Sequence, residues 1–271
     1  MDRIAELIEA AEAEAVWGYE NSAPPAVAES LGLASRRIAG GVVLAMPQDV
    51  TNYWSKALGF GFESPVTLEL VEQIVDFYRT HGVRQATLQF APSVLPADWE
   101  AIREKTGLTA GGTWLKLARL AGLVESADTE LRIGQVEPDQ AEEWATTLTR
   151  GFGMPGDKIV PMVTGVVGRP GFTAYAAWDG DTMVAAASLS MHEQVASFAG
   201  AAVLPEYRGR GAQSALLAAR ARQAAADGAK WLSAETGKPD DGGQNSSLNN
   251  MLRTGFEIRY ARKNWIWRAE D

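Results

Sequence analysis

The 271-residue chain contains no cysteine. That excludes disulfides, thiolate metal sites and a cysteine nucleophile, and it fits a cytoplasmic protein. Only two histidines occur, His81 and His192, so a multi-histidine metal centre is not expected. No run approaches the roughly 18 apolar residues that a membrane span needs. The N-terminal MDRIAELIEAAEAEA is acidic and helical in pattern, whereas a secretory leader starts basic and turns apolar. A basic face is missing too. Residues 1–130 hold 18 acidic and 10 basic side chains, and residues 131–271 hold 16 and 15. Neither half suits a nucleic-acid partner. The acidity of the first half reads as a solubility feature, while the second half keeps enough cations for a phosphate-bearing ligand.

The chain does carry ordered α/β patterning. In the second half, 131–138 reads as a strand ending at a proline and 139–152 as a helix with Trp144 and Leu148 four apart. A short helix is expected near 159–167. Asp179-Gly180-Asp181 supplies the turn of a hairpin between two β-rich runs. Residues 194–204 read as one strand, 213–227 as a helix ended by Gly228, and 231–236 as a strand. A loop then leads to a helix over 246–254, stopped by Gly255, and a strand over 256–267.

The first half repeats that ending. Ser64-Pro65 marks a helix start, followed by a stripe of Leu68, Val71, Val75 and Tyr78. A strand over 86–92, a helix over 98–105 and a strand over 112–120 complete it. Gly107-Leu108 corresponds to Gly255-Phe256. The order helix, strand, helix, glycine-hydrophobe, strand thus occurs twice, which indicates an internal duplication with its boundary at 122–130, GLVESADTE. The expectation is a mixed-sheet α/β protein of two tandem domains, residues 1–125 and 131–271.

The most informative stretch is VLPEYRGRGAQSALLAAR at 203–220. A strand runs into a loop that opens an alanine-rich helix. The first amides of a helix lack internal partners, and the helix dipole adds positive potential there. Gly209 and Gly211 let backbone N–H groups approach an anion, and Arg208 and Arg210 can add charge. The site suits a pyrophosphate. It is neither a Walker loop nor the Gly-x-Gly-x-x-Gly dinucleotide fingerprint.

This stretch resembles the acyl-CoA-binding signature of the GNAT superfamily of N-acetyltransferases. Arg208 and Gly211 fill its first and fourth positions, and Gln213 stands where glycine or alanine is usual. The resemblance extends over about 131–271, including NSSLNNMLRTGF at 245–256. It implies acetyl-CoA as cofactor. Backbone groups of Ala201, Ala202 and Val203 would pair with the pantetheine arm, where the strand over 194–204 splays from that over 231–236. Amides of Gly209, Arg210, Gly211, Ala212, Gln213 and Ser214 would hold the pyrophosphate, with Asn245 and Ser247 nearby. The first half resembles a degenerate copy: its equivalent loop, LGFGFESPVT at 58–67, has no arginine, and Glu63 would repel phosphate.

The resemblance leaves the acid and base open. Met251 occupies the position where many family members carry a proton-donating tyrosine, surrounded by Ser246, Asn249 and Asn250. Tyr260 is the nearest tyrosine in sequence. A base position used by some members falls on Ser197, so Glu235 is the preferred carboxylate, directly or through water. Glu193 ranks second, because His192-Glu193 fits a hairpin turn better. The implied activity is acetyl or short-acyl transfer to a primary amine of a small molecule. A thiol-precursor or amino-sugar acceptor and a non-catalytic acyl-CoA-binding module are the alternatives.

Overall fold

A computed structural model describes residues 3–270, the side chain of Asp157 excepted. The first half runs α1 (Arg3–Asn21), α2 (Pro25–Leu31), β1 (Ala34–Ile38), β2 (Gly41–Ala45), β3 (Lys56–Leu58), α3 (Leu68–Thr80), β4 (Gln85–Gln89), α4 (Trp99–Lys105) and β5 (Thr109–Leu120). The second half runs β6 (Arg132–Gln135), α5 (Ala141–Gly151), α6 (Gly156–Thr164), β7 (Phe172–Asp179), β8 (Thr182–His192), β9 (Val195–Ser197), β10 (Ala201–Val203), α7 (Ala212–Ala226), β11 (Trp231–Gly237), α8 (Ser246–Arg253) and β12 (Glu257–Arg268).

The duplication is visible in local geometry. Units α3–β4–α4–β5 and α7–β11–α8–β12 follow the same order. Their second helices end alike. Gly107 N–H donates to Glu104 and Leu108 N–H to Arg103, while Gly255 donates to Leu252 and Phe256 to Met251. Both glycines are left-handed, with φ of +71° and +81°, and the following hydrophobe folds back on the helix, as in a Schellman stop.

All strands join one mixed sheet in the order β1-β2-β3-β4-β12-β5-β11-β9-β8-β7-β6, with β10 added on β8. The centre is an exchange. β12, the end of the chain, pairs with β4 of the first half, and β5 pairs with β11 of the second. The two terminal strands also pair with each other, antiparallel, from Glu257 opposite Ala118 to Ile266 opposite Thr109. Each half therefore lends its last strand to the other's sheet. Helix α1 lies across the seam. It contributes Ala13 and Val16 to a cluster with Val42, Leu44 and Leu58, and Ile8 and Ala11 to a cluster with Ala118 and Val195.

Two local expectations differ. Helix α3 starts at Leu68 rather than at Ser64-Pro65, and Thr67 caps it by accepting from Leu70 N–H at 3.3 Å. Val66 is buried, so the chain must seat it before the helix can begin, and threonine serves as a cap almost as well as serine. The single strand expected over 194–204 is broken. β9 pairs in parallel with β11, while β10 pairs only with β8. The segment between them holds Gly200 at φ +78°.

Candidate active site

The break between β9 and β10 opens the sheet. Beyond Ser197 opposite Ser233 the two central strands stop pairing, and a gap forms that no neighbouring strand fills. Two cavities occupy it. The outer one, about 1080 Å³, is lined by Ala201, Ala202, Val203, Arg208, Gly209, Arg210, Gly211, Ala212, Gln213 and Ser214, all expected from the sequence. Ser246 and Asn250 join them, together with Phe152, Arg253 and residues 127–130, which the motif did not reveal.

The loop is shaped for close backbone approach. Gly209 and Gly211 have φ of +80° and +81°, a region that side-chain-bearing residues rarely adopt. A Cβ on Gly211 would lie 2.8 Å from the Asp128 carbonyl, whereas Gly209 faces open space. The amides of Gly209, Arg210 and Gly211 donate no hydrogen bond among the described residues. With the first turn of α7 behind them, these amides have the arrangement that an anion cradle requires. The arginines divide. Arg210 is held by Asp179 at the β7–β8 turn, at 2.6 and 3.1 Å, so its charge is already partnered. Arg208 is tied only through Nε to the Val203 carbonyl. Residues 127–130 brace the cradle: Ala127 N–H donates to Ser214 Oγ, and Thr129 Oγ1 to the Arg210 carbonyl.

The inner cavity, about 330 Å³, is more enclosed and draws on both halves. Ser197, Phe198, Glu235, Ser247 and Met251 come from the second half. Glu12, Val16 and Tyr19 come from α1, Tyr53 and Trp54 from the loop before β3, and Trp114 and Lys116 from β5. The exchanged strand and the acidic N-terminal helix are thus walls of the site. Three of that helix's glutamates, Glu9, Glu12 and Glu20, are buried, so its acidity is not simply a solvated face.

Buried charges cluster on one wall. Arg262, fully buried on β12, contacts Glu9, Glu12 at 2.8 Å and Glu235 at 2.6 Å. Lys116 bonds Glu12 and lies 3.9 Å from Glu235. Burial pushes the Glu12 carboxyl up, but the charges of Arg262 and Lys116 hold it well below the usual carboxylate range. Glu235 goes the other way. Burial, and then the charge of Glu12, push it up to about 7 against the pull of Arg262, Lys116 and Lys56. Arg262 and Lys116 are already balanced by Glu9 and Glu12; Glu12 and Glu235 both line the cavity, and Glu235 is the one of the two that is pushed up.

Other expected residues lie elsewhere. Tyr260 does not line either cavity. Its hydroxyl donates to Glu9 at 2.7 Å, and the residue packs against the cluster of Ile8, Ala11, Ala118 and Val195. Strand alternation turns it to the α1 side, and sequence proximity to the 245–256 helix did not report that. Asn245 is committed to structure: it caps α8 by accepting from Leu248 N–H and donates to Thr236 and Gly237. Ser247 does reach the inner cavity, bonded by Gln213 at 3.0 Å. Glu193 sits at φ +48° in the turn between β8 and β9, as its hairpin reading anticipates. The first-half counterpart of the cleft is filled. Phe60, Phe90, Trp99 and Trp265 pack edge-to-face there, at 6.2, 5.2 and 5.1 Å between successive rings, and a Cβ on Gly61 would collide with Val94.

Comparison with known proteins bears on the family and the fold. A family model described as acetyltransferase (GNAT) family matches residues 140–245. Among solved structures, a GCN5-related N-acetyltransferase from Kribbella flavida is similar over 97% of this chain and 96% of its own, at 17% identity and a TM-score of 0.64. A tandem GNAT protein from the clavulanic acid biosynthesis pathway is similar over 97% of both chains, at 17% identity and a TM-score of 0.56. A GCN5-related N-acetyltransferase from Sphaerobacter thermophilus covers 85% of this chain at 13% identity, with a TM-score of 0.54. No curated protein matches the sequence. At these identities the likenesses establish the tandem GNAT fold. Among the described residues, no helix is long and apolar enough to cross a membrane, and no cluster of potential metal ligands occurs.

Proposed function

We propose, from the match of residues 140–245 to the GNAT acetyltransferase family model, that the protein transfers an acetyl or short acyl group from acyl-CoA to a primary amine of a small molecule. The carrying observation is the junction of two cavities, an anion cradle opening onto an enclosed pocket that holds one carboxylate poised near 7. The free amides of Gly209–Gly211 and the first turn of α7 hold the pyrophosphate, and Arg208 adds charge. The backbone of Ala201–Val203, released from β11, pairs with the pantetheine arm. Bound acetyl-CoA supplies an acyl thioester, whose C–S bond breaks as the acceptor's C–N bond forms.

The chain's own residues manage the proton. An alkylamine is protonated near neutrality and cannot attack until it loses a proton. Glu235 accepts that proton, because a carboxylate near 7 is largely ionised at slightly alkaline pH yet basic enough to take it. No dedicated acid is required for the departing sulfur, since a thiol with a pKa near 8.5 leaves tolerably as thiolate. Met251 lines the pocket where a donor would otherwise stand.

The test has two parts. Gly209 faces open space, and aspartate and asparagine are the residues that best tolerate its left-handed backbone. Gly209→Asp should weaken CoA binding at least tenfold by calorimetry, with Gly209→Asn nearer wild type. Equal affinity in all three proteins would remove the phosphate cradle. Turnover against a broad amine panel should be measurable. Tight acetyl-CoA binding without transfer to any amine would make the protein a binding module instead.

A further inference from the structure

One buried charge is not used by this mechanism. Arg220 lies on α7 and is 1% exposed. Its Nε donates to the Leu216 carbonyl at 3.2 Å and Nη1 to the Ser188 carbonyl at 2.9 Å. The guanidinium rests on the Phe198 ring, 4.5 Å from its centroid. Nη2 makes no hydrogen bond among the described residues, yet it is not sealed in, and the residue lines the inner cavity.

Its treatment differs from that of the other buried cations. Arg262 and Lys116 contact carboxylates, and Lys56 sits over the Tyr53 ring at 3.6 Å. Arg220 has no carboxylate within ion-pair distance among the described residues, and two neutral carbonyls leave its full charge uncompensated. Burial pushes it down to about 10, and the groups acting back on it are the phenols of Tyr19 and Tyr175. An unpaired buried cation is strongly destabilising. The same cavity is lined by two carboxylates, Glu12 and Glu235, and both are engaged with Arg262 and Lys116 rather than with Arg220.

We infer that the inner cavity takes a ligand bearing a carboxylate, which completes the ion pair with Arg220. The inference rests on the reading that acyl group and acceptor meet in this cavity. The carboxylate has two possible sources: an acceptor that is an amino acid rather than a plain amine, or a dicarboxylic acyl group whose free end is anionic.

Calorimetry separates them without turnover. On one arm, CoA-loaded protein is titrated with alanine and phenylalanine, each beside its decarboxylated amine, ethylamine and phenethylamine. On the other arm, affinities for succinyl-CoA and acetyl-CoA are compared on the free protein. The expected result is a preference of at least tenfold for the carboxylate-bearing member on one arm. Arg220→Gln should abolish it, and Arg220→Lys should retain part of it. No preference on either arm of the wild type overturns the inference, as does a preference that survives in Arg220→Gln. If the glutamine variant does not fold, the wild-type arms decide together with Arg220→Lys, in which an undiminished preference counts against Arg220. Because the readout is binding, a protein that prefers the carboxylate but transfers nothing refutes the transferase reading alone.

Discussion

Replacing Glu235 by glutamine should separate activity from stability in a way that a structural ion pair would not. The carboxyl is 2.6 Å from Arg262, and its side chain is 16% exposed. Its pKa stands at about 7 against an ordinary 4.5, a difference of about 3 kcal/mol at 1.36 kcal/mol per unit. Between those values the native state holds a proton that the unfolded chain has released. The stability contributed by this group is therefore present below about 4.5 and lost as pH rises through about 7. Above 7 the ionised carboxylate opposes folding, because Arg262 and Lys116 are already neutralised by Glu9 and Glu12. Glu235→Gln should accordingly flatten the fall in stability between pH 4.5 and 7. At pH 8 it should leave stability equal or higher, by at most about 3 kcal/mol. The same change removes the base, and kcat should drop by about 10²–10⁴. In the wild type kcat/KM should climb through pH 7. Thiol release reports the rate directly, and the absence of cysteine removes any protein background. A flat pH profile, a variant within tenfold of wild type, or a loss of several kcal/mol at pH 8 would each refute the reasoning.

Three further outcomes follow from particular contacts. Saturating calorimetry should give one CoA per chain, since Phe60, Phe90 and Trp99 fill the first-half cleft; two equivalent sites would contradict that packing. Tyr260→Phe should leave kcat within a fewfold of wild type and cost about 1 kcal/mol of stability in chemical denaturation, for the lost bond to Glu9; a tenfold slower enzyme would return the phenol to the mechanism. Glu20 is buried with neither carboxylate oxygen bonded, and burial, then Asp49, push it well above the usual carboxylate range. Its contribution is lost as pH rises from the unfolded pKa, so Glu20→Met should stabilise by about 1–3 kcal/mol, more at pH 8 than at pH 5. Destabilisation at both values would mean that the carboxyl has a partner.

The geometry of the 203–214 loop was legible because it is local. An anion cradle needs glycines, a helix start and a preceding strand within about a dozen residues, and residues 203–214 state all three. The helix stops at Gly107 and Gly255 were readable for the same reason, and through them the duplication. The inner cavity was not legible, because its walls meet only through strand exchange. Lys116, Trp114 and Glu12 lie over 100 residues from Glu235 in sequence, and periodicity says nothing about which sheet a terminal strand joins. Tyr260 shows the converse error: closeness along the chain suggested a role, and the two-residue alternation of β12 turned the side chain towards Glu9. The break in the strand over 194–204 was hidden by a continuous run of small and apolar residues, which marks burial but not pairing.

The exchange also means that the fold of the first half does not depend on its 58–67 loop. β12 needs β5 on one side and β4 on the other, and β11 needs β5; deleting either terminal strand would strip partners from both halves. What the first half must preserve is therefore its sheet, α1 and the side chains these present across the seam. The cradle at 58–67 carries none of that. Glu63 and the aromatic filling are tolerated there because the inner cavity draws on Glu12, Tyr53, Trp114 and Lys116, residues outside the lost loop. The first half thus sets part of the charge beside Glu235: Glu12 adds to burial in pushing that carboxyl up, and Lys116 and Lys56 join Arg262 in pulling it down.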